Sequence, residues 1–497
     1  MINAKPGNCK KYNYLRKNKK NEAAIPEKVV DIYQEDKEKS KKEIVNLLKK
    51  EFSVKEIIEL EGIEEVREKA TQEIMNNYKH DENVIIANAC LKHKDNDYCT
   101  NYKYLVLGKE DVQIIYVLYK NLEKAISDYT TKQTLIPNLL YGVDILKSNM
   151  DTETYEIKTK AVNLKVDTFE IDNMDISMFK GTDVEKYLPL YDNLDNENLE
   201  KEKCYSRKCK KCEFRDYCGV PKLSIADLES TPNCWRILDP IIKENKSLDL
   251  ETLTEEQVAK LTPRQYARYM AWKSEDGIYI DKEIIQSFLD IVENGYVSFD
   301  FETYSSMKPF SEKYSNYSQI PFSFSSDVVD CNDKVIEHQD YIVDYQETNF
   351  DSVIEQMLMK VPVDLPMVVY FKTFELSRLK EFQELYPDFV DIVQKWIDNV
   401  VDLYEVFDKG GYYDIRFGNS ISLKSVYPVL CDSNKYKNLD INKGDEAALE
   451  YKAIFNSKKK TKKADKVINE LTDYNSLDTL VQTEMIAKLK EIVKNAK

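Results

Sequence analysis

Tyr296-Val297-Ser298-Phe299-Asp300-Phe301-Glu302-Thr303 is the stretch whose reading decides the fold. Apolar and polar residues alternate with period two, the pattern of a half-buried β-strand. Val297, Phe299 and Phe301 fall on one face, and Ser298, Asp300 and Glu302 on the other. The two carboxylates therefore point the same way, about 7 Å apart along the strand. Like charges so placed repel, and a cation between them relieves the repulsion. A lone pair of acids is more often an exposed polar face, so the weight of this one depends on partners elsewhere in the chain.

The most informative partner lies near the end of the chain. From Ala464 to Val493 a stripe at helical spacing runs through Val467, Leu471, Tyr474, Asp478, Val481, Met485, Leu489 and Ile492. Asp478 is the one carboxylate in it. Buried without a partner it needs a cation or a proton, and no lysine sits three or four residues away to supply a local pair. Tyr474 precedes it by one turn on the same face. Between these ends the pattern predicts strands from Pro321 to Val329, Val335 to Val343 and Met367 to Phe371, with a helix from Phe350 to Val361 before the last. A second helix opens at Phe374-Glu375, just past that strand, and Asp402 in Val400-Val401-Asp402-Leu403 competes with Glu375 as a middle acid.

Three strands in series, then helix and strand, is the order of a ribonuclease H-like core. Asp300, Glu302, a middle acid and Tyr474-x3-Asp478 together resemble the DEDD-type 3′→5′ exonucleases. The resemblance implies two Mg²⁺ or Mn²⁺ ions on the oxygens of Asp300, Glu302, Glu375 and Asp478, with Tyr474 orienting the attacking water. It also implies nucleic acid, DNA or RNA, as the partner, a single-stranded end being favoured. The chain departs from the family at Phe374-Glu375, where Phe-Asp is usual, and at Phe371, where the family has asparagine. That departure bears on rate and substrate choice rather than on metal binding.

At 497 residues the chain is too long for one core. Three regions are expected: 1–220, a helical connector over 221–290, and 291–497. The connector carries two capping boxes, Thr254-x-x-Gln257 and Thr262-Pro263-x-Gln265. A net charge of −16 argues against a broadly basic nucleic-acid coat. Local basic segments, Lys10 to Lys20, Arg207 to Lys211 and Lys458 to Lys463, are candidate phosphate contacts. Three scattered histidines leave little for a histidine-rich zinc site or a Ser-His-Asp triad. No apolar run approaches the ~20 residues of a membrane helix and no signal-peptide pattern opens the sequence, so a cytoplasmic protein is expected.

In that compartment ten cysteines read as thiols or metal ligands rather than disulfides. Cys204, Cys209, Cys212 and Cys218 cluster among lysines and arginines. Such neighbours are expected to lower the thiolate pKa, and soft thiolates select zinc or iron–sulfur. Three ligands in the C-x2-C-x5-C run need a fourth, from Cys9 or Cys204. A lone N-terminal cysteine, a strand-rich core and this late cluster resemble the iron–sulfur subgroup of RecB-like, PD-(D/E)XK-class nucleases. The resemblance implies a 4Fe–4S cluster on Cys9, Cys209, Cys212 and Cys218, stapling the ends of the domain together.

Two registers present themselves for the acids of that first domain. Asp144 with Glu156-Ile157-Lys158 has the right spacing, but strand-like sequence follows where the fold wants a long helix. Aligning Thr100 to Leu107 and Val112 to Lys120 with the catalytic strands puts the helix of Asp128 and Gln133 in its proper place. It also puts Tyr116 and Leu118 where Glu and Lys belong, and this second register is the one favoured, which makes the domain a degenerate scaffold. The arrangement resembles an uncharacterised bacterial family in which a RecB-like iron–sulfur region precedes a DEDD-like domain of unknown function, a match that is strong from about Cys204 to the end and weak before it. Further matching stretches are Ser318 to Phe322, Asp402-Leu403, Ser420 to Val426 and Tyr474 to Thr479. An α/β protein acting as a metal-dependent exonuclease is the main expectation. The alternative is an inactive nucleic-acid-binding or assembly protein built on two nuclease folds.

Overall fold

The computed structural model describes residues 2–3, 10–25, 31–79, 82–95, 98–179, 182, 197–228, 235–347 and 349–495. It is a mixed α/β protein that divides into two units. Unit 1 comprises Met1–Val220 with Ser306–Asn316, and unit 2 comprises Pro221–Ser305 with Tyr317–Lys497.

Unit 1 is built on strands β1 (Ile2–Asn3), β2 (Ile57–Glu59), β3 (Val84–Lys92), β4 (Tyr98–Leu107), β5 (Asp111–Leu118), β6 (Glu156–Leu164) and β7 (Phe169–Asn173). They form one sheet in the order β2-β3-β4-β5-β6-β7, with β1 alongside β4. Strands β3, β4 and β5 are an antiparallel meander, whereas β6 runs parallel to β5. A parallel neighbour needs a crossover. Helices α1 (Lys10–Asn18), α2 (Gln34–Glu51) and α3 (Glu64–Asn77) precede β3 in the chain, and α4 (Leu122–Ser127) with α5 (Tyr129–Asn149) makes that crossover. The apolar run of β5 is buried at Val112, Ile114, Ile115 and Leu118, and Ile114 shares a core cluster with Ile145 and Leu146 of α5. At the other end of the unit, Tyr12 and Leu15 of α1 pack with Leu199 of α6 (Asn198–Lys201) and with Phe214.

Residues 221–290, expected as a connector, belong to unit 2. They hold α7 (Trp235–Asn245), α8 (Glu255–Val258), α9 (Pro263–Lys273), β8 (Ile278–Ile280) and α10 (Lys282–Val292). Both capping boxes form as read from the sequence, each threonine accepting from the backbone of the glutamine three residues on. The main sheet has β9 (Tyr296–Tyr304), β10 (Ile320–Val329), β11 (Val335–Ile342), β12 (Met367–Val369) and β13 (Val400–Asp402) in the order β11-β10-β9-β12-β13. The first three are antiparallel, and β12 and β13 run parallel to β9. Gly295 enters β9 at φ +106, where a Cβ would stand 2.8 Å from the Val329 carbonyl oxygen. Strand β14 (Tyr412–Asp414) pairs with β8 apart from this sheet.

The remaining helices are α11 (Asp351–Lys360), α12 (Thr373–Leu385), α13 (Val390–Asn399), α14 (Tyr404–Asp408), α15 (Leu423–Leu430), α16 (Gly444–Ser457) and α17 (Lys462–Asn495). The half-buried strand expected at β9 is buried on both faces. Its apolar face packs Phe299 on Phe324 and Phe301 edge-on to Phe382 of α12. Its polar face lies under α17, which at 34 residues crosses both β9 and β10. Small polar residues make that contact workable. Ser298 Oγ donates to the Thr479 carbonyl at 2.9 Å, and Gln482 Nε2 donates to the Phe299 carbonyl at 3.3 Å.

Candidate acidic metal site

The period of β9 and the period of α17 meet at one point. Asp300 and Glu302 project from the polar face of β9, and Asp478 projects from the buried stripe of α17. Ligand oxygens from the three lie within 4.8 Å of one another. Glu302 is 9 % exposed and Asp478 5 %, so the carboxylates are largely out of water. Asn475, one helical turn before Asp478, lies between the acids and β10. With its amide nitrogen toward Asp300 it donates to Oδ2 at 3.2 Å and accepts from Ser323 Oγ and the Ser325 backbone.

Glu375 sits in the first turn of α12, 2 % exposed, and its Oε2 has no hydrogen-bond partner among the described residues. Burial raises its pKa to about 8. Glu302 is likewise raised to about 8, by burial first and then by the charge of Asp478. Asp300 is pushed well above the ordinary carboxylate range by burial and by Asp478, Glu302 and Glu375 together. Burial raises Asp478 as well, against the opposing pull of Lys424, Tyr436 and Tyr474. Asp300, Glu302 and Asp478, repelling one another in a largely dry site, either hold protons or hold cations.

Asp402, the competing middle acid, is already committed. Its carboxylate accepts from the backbone N–H groups of Phe371 (2.8 Å), Lys372 (2.9 Å) and Tyr404 (3.0 Å). It shapes the turn that delivers Glu375, which keeps an unsatisfied oxygen but is not among the three acids whose ligand oxygens meet within 4.8 Å.

Two neighbours were not legible as site residues. Lys424, at the start of α15, donates to the Tyr474 hydroxyl and lies over that ring, 4.3 Å from its centroid. Tyr436 donates its hydroxyl to Asp478 Oδ1, and Lys424 also lies 5.3 Å from the Tyr436 ring centroid. The cation for Asp478 thus comes from another helix rather than from its own. Asn475 was signalled by its spacing of three from Asp478 and by lying in the matching stretch Tyr474 to Thr479; Tyr436 carried no signal.

Residues 297–422 match a family model described as a domain of unknown function, DUF2779. The matched span carries Asp300, Glu302, Glu375 and Asp402 and ends before Lys424, Tyr436 and α17. No curated protein matches the chain, and no solved structure does.

In unit 1, Cys204, Cys209, Cys212 and Cys218 line one small pocket, about 40 Å³, together with Lys11, Tyr12 and Arg215. Cys9 lies outside the described residues. The expected lowering of thiolate pKa by the basic neighbours is not what the pocket does. Burial comes first and raises Cys204, Cys212 and Cys218. Among the described residues, no three of these sulfurs lie within 4.8 Å of one another.

Asp144, Glu156 and Lys158 are not brought together as a set. Asp144 is on α5 and faces His93 at 3.9 Å, whereas Lys158 on β6 pairs with Asp111 at 2.8 Å and Glu156 at 3.1 Å. On β5, the Tyr116 hydroxyl donates to the Asn138 carbonyl at 3.0 Å. No helix among the described residues is long and apolar enough to cross a membrane.

Proposed function

We propose that unit 2 is a divalent-metal-dependent nuclease, a 3′→5′ exonuclease hydrolysing the phosphodiester bonds of DNA or RNA from a single-stranded end. The observation that carries this is the convergence of Asp300 and Glu302, from the first strand of the main sheet, with Asp478 of the last helix, ligand oxygens within 4.8 Å. Support comes from the orphaned Glu375 oxygen and from a sheet order that is also that of a ribonuclease H-like core. The donor set is all oxygen and anionic, which suits hard divalent cations.

Asp300, Glu302 and Asp478, with Glu375, are the residues that would hold two ions, Mg²⁺ or Mn²⁺. When bound, these supply the positive charge that activates water and offsets charge on the departing 3′ oxygen. The chain's own part is positioning and exclusion of bulk water. Asn475 and Tyr436 orient Asp300 and Asp478 through hydrogen bonds. Lys424 occupies a lone pair of the Tyr474 oxygen, which leaves the Tyr474 proton to point into the site.

Unit 1 is read as a RecB-like scaffold without the nuclease acids, because its helical crossover follows β5 and the candidate triad is dispersed. Cys209, Cys212 and Cys218, which share one pocket, are read with Cys9 as the thiolate ligands of a 4Fe–4S cluster, Cys204 being a spare.

The test is hydrolysis of a 5′-labelled single-stranded oligonucleotide with and without Mn²⁺. Nucleotide release from the 3′ end is expected, falling by about a thousandfold or more in Asp300→Ala and in Asp478→Ala. Strand binding without turnover, indifferent to both substitutions, would replace this reading with that of an inactive binding protein.

A further inference from the structure

We infer that Phe371 is a stacking platform for the terminal base of the strand, so that the site recognises the presence of a base and not its identity. The inference rests on the nuclease reading above and adds its substrate determinant. Phe371 follows β12 and stands four residues before Glu375. It is 50 % exposed, although burying an aromatic ring is favourable. Its backbone is at φ +79, a conformation in which a bulky side chain is a rare and strained occupant.

The strain is held in place by the buried Asp402, whose two oxygens take the N–H groups of Phe371 and Lys372. The Tyr404 ring meets Phe371 edge-on at 5.3 Å and 79°, which fixes its orientation. β12 runs parallel to β9 with Met367 opposite Val297 and Val368 opposite Ser298, so the turn that holds this half-exposed ring follows the strand next to the one carrying Asp300 and Glu302. The local cations are committed elsewhere: Lys372 pairs with Glu405, and Arg378 pairs with Glu381. Phe371 itself offers a flat apolar ring, and every nucleobase has a π face to lay on it.

The experiment compares 3′-end removal in Mn²⁺ from two oligonucleotides, one ending in an ordinary nucleotide and one in an abasic residue. Wild-type protein is expected to show a KM about tenfold lower for the base-bearing end. Phe371→Ala should erase that difference by raising KM for the base-bearing end alone, and Phe371→Trp should restore it. Phe371→Gly separates function from folding, because glycine is at ease at this φ: its Tm should rise while discrimination disappears. An unchanged base-to-abasic ratio in Phe371→Ala overturns the inference while leaving the nuclease reading intact. If no strand is hydrolysed, that reading fails by itself. Quenching of a 3′-terminal 2-aminopurine by the protein then decides the platform: a quench lost in Phe371→Ala supports it, and an equal quench or none overturns it.

Discussion

At Lys424 an ammonium group lies against two tyrosines that surround Asp478, and its charge opposes the rise in pKa of Asp300, Glu302 and Asp478 alike. Replacing it with an isosteric neutral chain therefore has a definite sign. In Lys424→Met the acids hold their protons to higher pH, so the Mn²⁺-supported pH–rate profile should shift to the alkaline side by about one unit. Lys424→Arg should return it most of the way. A profile that keeps its position while the rate falls would reduce Lys424 to a packing residue. Asp402 makes the complementary point about single residues. Two acids sat at equivalent strand ends in the sequence, and three backbone N–H groups decide which of them shapes the turn and which keeps an oxygen to spare.

Strands β10 and β11 and helix α17 are joined by a clamp of their own. His338 Nδ1 meets Asp327 Oδ1 at 2.6 Å and Nε2 meets Asp340 Oδ2 at 2.7 Å, while Ser476 of α17 donates to the same Asp340 oxygen at 2.8 Å. Burial by itself would lower the His338 pKa, but the two aspartates outweigh it and the net direction is up from 6.5. A histidine raised in the fold contributes its full stability below the unfolded value, near 6.5, and loses it as pH rises through the folded value. His338→Gln should therefore lower Tm at pH 6, with the gap to wild type closing by pH 9. A constant gap across that range would show the clamp to be neutral hydrogen bonding. The period-two alternation that marked β9 says nothing of this contact, because Asp327 and His338 meet across strands whose register only the folded sheet defines.

For the whole molecule, the acid cluster makes stability depend on pH and on divalent ions together. Glu302 and Glu375 titrate near 8 in the fold against 4.5 as ordinary glutamates, so the folded state holds the extra protons. Without divalent ions the protein should lose stability as pH climbs from about 4.5 through about 8, the direction set by the raised folded values. Added Mn²⁺ should raise Tm most at the alkaline end, where the carboxylates are ionised and vacated by protons. Thermal melts at several pH values, with chelator and with Mn²⁺, measure this directly. A Tm indifferent to Mn²⁺ at pH 8.5 would count against metal binding by these acids.

Strand period, helical period, capping boxes and cysteine spacing are local quantities, and the amino-acid order alone determined them. It put Asp300 and Glu302 on one face, Asp478 in an apolar stripe and two capped helices at Thr254 and Thr262. What only the tertiary structure decided is which distant surfaces close on each other. The helix α17 covers the polar face of β9, Tyr436 reaches Asp478 and Lys424 reaches Tyr474 from separate turns, and the oxygens of Asp402 are taken up by backbone N–H groups of a loop. Those outcomes depend on packing and on the accounting of buried polar groups across the whole unit, because a buried charge must find its partner in space rather than along the chain.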